Sequence, residues 1–240
     1  MGPLDLSRRA HTPELMDTQA VDYAAFRRCL RHLSALNLTT FAYHPTLAWL
    51  DRLAERRSAA GQHAPLHIVD AGCGYGDGLR RIAAWARRRG VAVHLTGVDL
   101  NPWSARAAAE ATPPGMGIRW ETADIFAFRP DRPIDVVVSA LFAHHLDEAR
   151  LPRFLRWMEE TARAGWFVND LHRHAVPLAF TRAVGLLPGI DPMVAHDGPV
   201  SVTRAFTRAD WAAVLAEAGI PPDAVTVRWF LFRWGVGRLR

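Results

Sequence analysis

The sequence predicts an α/β fold: a doubly wound, mostly parallel seven-stranded sheet with helices on both faces and a reversed last strand. Three observations predict it. From His67 onward, short apolar runs alternate with helical segments, the order that builds a parallel sheet with crossover helices. The run Ile134 to Ala140 is nearly all apolar, as an interior parallel strand covered on both faces requires. Finally, Ala224 to Arg238 alternates with no helix between its halves. Two adjacent strands with a tight connection near Phe230–Arg233 would be antiparallel.

The elements follow in order. Residues 1–19 carry no periodicity and are expected to be partly loose. Phe26, Cys29, Leu30, Leu33 and Leu36 recur at helical spacing between Val21 and Leu36, and a second helix is expected from about Pro45 to Arg57. The small, polar stretch Ser58–Gln62 then separates an N-terminal helical cap or lid, residues 1–60, from a larger domain, residues 61–240. That domain starts with the buried strand His67–Asp70. A helix from Leu79 to Arg89, closed by Gly90, is followed by a strand from Val91 to Asp99. Pro102 opens a helix to about Ala111. Ile118–Trp120, Ile134–Ala140 and Trp166–Val168 are the next strands, with a helix from Leu151 to Arg163 before the last of them. An inserted helix is expected over Ala175–Leu187, inside an insert of about residues 175–204, and another over Arg208–Ala218, ended by Gly219.

Composition narrows the function. The chain has 240 residues, half of them hydrophobic, enough for one α/β domain with a helical addition. Its net charge is +5, yet it contains no lysine, and the arginine groups at 27–28, 80–81 and 87–89 read as solvated helix faces. A nucleic-acid partner is therefore not expected. Cys29 and Cys73 form neither a disulfide framework nor a C-x-x-C pair. No stretch approaches the roughly 20 apolar residues of a membrane span, and the first residues carry no apolar signal core. A cytoplasmic protein without a membrane span is the expectation.

The most informative segment is Val69-Asp70-Ala71-Gly72-Cys73-Gly74-Tyr75-Gly76. A strand runs into glycines at alternate positions and then into a helix, so the backbone can turn sharply, approach a ligand closely and present free N–H groups. A phosphate loop needs a lysine after its last glycine, and there is none. A dinucleotide loop needs G-x-G-x-x-G, but Asp77 or Leu79 stands where the third glycine belongs. D-x-G-x-G-x-G fits completely. S-adenosylmethionine (SAM) has no phosphate, so an acidic loop suits it, with Asp70 facing the methionyl ammonium directly or through water. Asp99, at the tip of the second strand, lies 23 residues past Gly76 (99 − 76), placed to accept both ribose hydroxyls. Asp124, after the third strand, can accept the adenine amino group, with Ile125 against the ring.

From about Leu66 to its end the chain resembles the class I SAM-dependent methyltransferases, a Rossmann-like family. Asp70, Gly72, Gly74, Gly76, Asp99 and Asp124 match its cofactor motifs one by one, and the terminal antiparallel pair matches its reversed last strand. The resemblance implies SAM as cofactor, with Leu100, Ile125 and Ala140 completing the expected cofactor-binding set. It also implies that the N-terminal helices close over the cofactor and that the fourth strand's tip faces the methyl acceptor.

That tip reads Ser139-Ala140-Leu141-Phe142-Ala143-His144-His145. It lacks the Asn/Asp-Pro-Pro-Tyr-like box of amino-methylating DNA and protein enzymes, the cysteine of cytosine C5 enzymes and the lysine of a ribose 2′-O tetrad. A small-molecule acceptor is expected instead. His144 or His145 can take a proton from a hydroxyl. With Asp170 at the fifth strand's tip, the pair resembles small-molecule O-methyltransferases of natural-product and quinone pathways. The bland alternative has one histidine capping a helix and the other packing. His196 is a second candidate base or substrate contact, unless His196-Asp197-Gly198-Pro199 is a turn with Gly198 at positive φ. No metal is expected, because Ser139 and Ala140 stand where a metal-dependent relative carries an acid. The expected activity is O-methylation of a phenolic, polyketide-like or quinol hydroxyl. C- or N-methylation and a non-catalytic SAM-binding protein stand as alternatives, and a homodimer is compatible with the sequence.

Overall fold

The computed structural model describes residues 5–18 and 21–240; the expected looseness of residues 1–19 lies outside the described residues at positions 1–4 and 19. The chain opens with the helices α1 (Leu15–Thr18), α2 (Tyr23–Thr39) and α3 (His44–Ala59). Then come β1 (Leu66–Ala71), α4 (Asp77–Arg89), β2 (Val93–Asp99), α5 (Pro102–Ala111), β3 (Ile118–Thr122) and β4 (Val136–Ala140). A single 3-10 turn, Ala143–His145, precedes α6 (Arg150–Thr161), β5 (Gly165–Leu171), α7 (Ala175–Gly185), α8 (Pro192–Arg204), α9 (Arg208–Glu217), β6 (Thr226–Phe230) and β7 (Arg233–Leu239).

The strands form one seven-stranded sheet in the order β3-β2-β1-β4-β5-β7-β6. The first five are mutually parallel, and β7 runs antiparallel to both β5 and β6. The predicted turn is the two-residue link between β6 and β7, where Leu231 takes a left-handed φ of 49°. The strand order reverses between β1 and β4, which opens a crevice at the carboxyl ends of the strands.

Side-chain alternation explains the double winding. Leu66 and Ile68 of β1, Val136 and Val138 of β4 and Phe167 of β5 bury against Trp49, Leu50 and Leu53 of α3 and Ile82 and Trp85 of α4. Val69 and Ala71, Val137, Trp166 and Val168 point the other way, onto Phe154, Leu155 and Met158 of α6 and Trp211 of α9. The helix α3, on the N-terminal side of the expected boundary at residue 60, thus contributes its buried face to the core of the sheet.

One element departs from expectation. His196-Asp197-Gly198-Pro199 is not a turn but the middle of α8. Asp191 caps this helix by accepting from the Met193 N–H, and Pro192 occupies its first turn. The Asp197 carboxylate does not bond its own backbone. It accepts from the N–H groups of Leu15 and Met16 at 2.8 and 3.0 Å. Gly198 has no positive φ; it is small because a Cβ there would sit 3.2 Å from Thr181 of α7.

Trp49 is fully buried and stacks on Phe167 with ring centroids 5.5 Å apart. Trp49→Ala is expected to cost about 3–5 kcal/mol of stability, read by denaturant unfolding; a cost below about 1 kcal/mol would mean that α3 is not part of the core.

Candidate active site

A cavity of about 630 Å³ opens at the carboxyl edge of the parallel strands. Its floor is the glycine loop after β1, and its walls come from α2, the His144–His145 turn, α7 and α8. The size falls within the range of small-molecule sites.

The loop is built to leave space. Gly72 (φ +74°) and Gly76 (φ +72°) adopt backbone that disfavours a side chain, and a Cβ would meet the Phe142 ring at 2.4 Å or the Trp120 ring at 2.3 Å respectively. Asp99 supports the loop from β2. Its Oδ2 accepts from the Gly74 N–H and its Oδ1 from the Asn101 N–H, each at 2.9 Å. Burial raises the Asp99 pKa, against the pull of these two donors. A carboxylate has about four acceptor positions, so acceptor capacity remains for a ligand's hydroxyls, with the Ser104 side chain also acting on it. Gly72, Gly74, Asp99, Leu100, Asp124, Ile125 and Ala140 all line the cavity.

Two expected cofactor residues do not. Gly76 is the N-cap of α4. Asp70 is buried behind the loop beside Tyr43, Gly78 and Asn169, in a separate small pocket that shares only Ala140 with the main cavity. Side-chain alternation at the end of β1 turns it away from the opening. Burial, with Asp77 and Asp99 nearby, holds its pKa well above the usual carboxylate range.

The strand tips bring His144 and Asp170 together. Ala140 of β4 pairs with Asn169 of β5, which sets Asp170 beside the turn that follows β4. His144 Nδ1 lies 2.7 Å from Asp170 Oδ1, and both side chains are buried. Burial works against both charges. For Asp170 the neighbouring imidazole outweighs it and lowers the pKa, so the carboxylate is ionised and Nδ1 is the donor. For His144, Asp170 and Glu14 outweigh burial and lift the imidazole to about 9.

Glu14 completes the arrangement. Its Oε1 is 3.5 Å from His144 Nε2, its Oε2 is 3.8 Å from His145 Nε2, and Ser201 donates to it at 2.8 Å. Burial pushes its pKa up, but His144, His145 and Ser201 together draw it down to about 2. His145 is a quarter exposed, with Nδ1 2.9 Å from Asp17 Oδ2. Glu14, His144 and His145 each offer one ligand atom, all within 4.8 Å of one another, so they could hold a metal ion. As they stand, Glu14 and His144 pair with each other. His196 takes no part: its ring bonds to Asp197 at 2.8 Å and it does not line the cavity.

Sequence reasoning missed Glu14, Asp17, Ser201 and Arg233, all cavity-lining residues. The first two lie in a stretch without periodicity. Ser201 belongs to the unforeseen α8, and Arg233 sits at the strand connection, where no motif marks it.

Known proteins resemble this chain in sequence or in fold. Residues 68–165 match the family described as "Methyltransferase domain". The trans-aconitate 2-methyltransferase of Mycobacterium sp. (strain KMS) is 30% identical over 193 residues, 77% of this chain and 68% of that protein. The protein of the same name from Klebsiella pneumoniae (strain 342) is 38% identical over 74 residues, 30% of this chain and 26% of its own length. Among solved structures, the plantazolicin methyltransferase BpumL in complex with SAH superposes with a TM-score of 0.63 at 12% identity, over 94% of this chain and 96% of its own. The magnesium protoporphyrin IX methyltransferase ChlM from Synechocystis PCC 6803 with bound SAH gives 0.51 at 17% identity, over 82% of this chain and 84% of its own.

Asp99→Ala is expected to weaken SAM binding by at least about tenfold in calorimetric titration, since each hydrogen bond to a charged group contributes about 1.5–3 kcal/mol. Unchanged affinity in folded protein would remove Asp99 from the cofactor site.

Proposed function

Because this chain belongs to the class I SAM-dependent methyltransferases, we propose that it methylates a hydroxyl oxygen of a small, largely apolar acceptor, phenolic or quinol in type, with His144 as the proton acceptor. The observation that carries this reading is the His144–Asp170 contact of 2.7 Å. It fixes Nδ1 and leaves Nε2 directed toward Glu14 and the cavity.

Bound SAM supplies an electrophilic methyl group. Asp99 and the Gly72–Gly74 backbone hold it, with Leu100, Asp124 and Ile125 around the adenosyl portion. The acceptor lies against apolar side chains that line the cavity, among them Leu33, Leu36, Phe180 and Val184. As its oxygen forms the new bond to carbon and the sulfur–carbon bond breaks, the hydroxyl proton passes to His144 Nε2. Transfer from a phenol of pKa about 10 to an imidazole of about 9 is nearly balanced. Asp170 orients the ring, and Asp170 and Glu14 share the positive charge that appears on it. Most of the rate gain comes from alignment and water exclusion, worth roughly 7–11 kcal/mol in well-oriented systems. The helices α1, α2, α7 and α8 act as the lid that does this. No helix among the described residues is long and apolar enough to cross a membrane.

The base must be neutral to act, and the carboxylates hold His144 protonated up to about pH 9. Activity is therefore expected to rise with pH toward about 9. Asp170→Asn removes the attraction that raises the imidazole, so the rising limb should move to lower pH while the maximal rate falls about 10²–10⁴-fold. An unmoved limb would show that His144 is not the base. SAM affinity should persist in both Asp170→Asn and His144→Ala.

Activity is also expected to survive chelation with EDTA. Loss on chelation, restored by a divalent ion such as Zn²⁺, would reassign Glu14, His144 and His145 as a metal centre.

A further inference from the structure

Arg233 is buried, with 5% of its surface exposed, yet it lines the cavity. Its Nη2 donates to Asn37 Oδ1 at 3.1 Å and Thr40 Oγ1 at 3.4 Å, at the end of α2. Its Nε and Nη1 have no hydrogen-bond partner among the described residues, and no described carboxylate lies within ion-pair distance. Burial lowers its pKa only to about 10, so it is charged at neutral pH. Asp170 is the acid whose charge acts on it, but that carboxylate is already engaged by His144 and by the Leu171 N–H at 2.7 Å. An unpaired buried cation is costly, and three of its N–H donors are unused.

We infer that Arg233 is an anion subsite for the acceptor, and that the acceptor class is an apolar hydroxy acid whose carboxylate meets this guanidinium while its hydroxyl faces His144. This rests on the proposed O-methylation reading and deepens it. Position supports the assignment. Arg233 pairs with Leu171, one residue beyond Asp170, at the carboxyl edge of the sheet, and its side chain lines the same cavity as His144. Leu171, Pro177, Phe180, Val184 and Phe232 supply an apolar wall around it. The guanidinium binds rather than reacts with the carboxylate. A carboxylate oxygen that accepts charge-assisted hydrogen bonds is a poorer nucleophile, whereas the hydroxyl is activated by losing its proton to His144.

The test compares 3-hydroxy-2-naphthoate with its methyl ester, two probes of the same ring and hydroxyl that differ in charge. Each is titrated calorimetrically into the protein saturated with SAH. The acid is expected to bind at least about tenfold tighter than the ester, the loss typical of one charge-assisted contact. In Arg233→Gln that preference should vanish, with ester and SAH affinities retained. Equal binding of acid and ester by the unaltered protein would overturn the inference without any variant. So would a preference that survives in Arg233→Gln, or an acid that fails to bind at millimolar concentration. None of these results touches the pH profile that tests the base, so the two readings fail separately.

Discussion

A carboxylate with no exposed surface organises the site. Asp170 accepts from His144 Nδ1 and from the Leu171 N–H through Oδ1, and from the His144 N–H through Oδ2. A buried charge persists only when its attractions repay desolvation, and here they come from one residue twice over. The side chain and the backbone of His144 are tied to the same carboxylate, so the turn after β4 and the tip of β5 cannot move independently. Arg204 and Arg9 fix the turn from outside by donating to the His144 carbonyl and, for Arg9, to that of Leu146.

The N-terminal segment follows from this. Once His144 is held protonated, a second carboxylate is favourable at Nε2, and Glu14 supplies it. Glu14 is brought there by α8, because Asp197 accepts from the N–H groups at the start of α1 and Ser201 donates to Glu14 itself. A four-residue helix has little stability of its own. Its docking depends on these tertiary bonds. The imidazole's charge thereby reaches from the sheet edge to the covering helices.

Legibility in the sequence tracks the range of the forces involved. The glycine loop, Asp99 and Asp124 could be read because turn geometry and strand-to-helix periodicity are local. The pair His144 and Asp170 was legible because both follow parallel strands whose apolar runs mark their ends. By contrast, α8 was hidden because Asp-Gly-Pro is good turn chemistry, and a distant backbone claims the Asp197 carboxylate instead. Glu14 carries no local signal at all, since its role is set by residues more than a hundred positions away. Asp70 matched its motif, yet the pleat of β1 turns it behind the loop. Arg233 shows the opposite failure: an arginine in an alternating strand reads as solvent-facing, yet it is buried, with Nη2 donating to Asn37 and Thr40 at the end of α2.

The glycine loop's electrostatics bear on the direction of the reaction. Asp77 and Asp99 line one end of the cavity, Asp70 is buried behind the loop, and no arginine among the described residues forms an ion pair with any of them. Burial raises both Asp70 and Asp99. SAM brings an ammonium and a sulfonium. Methyl transfer converts the sulfonium into a neutral thioether, so the product carries one positive charge fewer beside the same acids. An ionised carboxylate at this loop attracts the donor more than its product. The same acids repel a pyrophosphate, and Asp77 stands where a dinucleotide loop would need glycine. An acidic loop of this kind thus disfavours the phosphate cofactors, which S-adenosylmethionine does not resemble in charge.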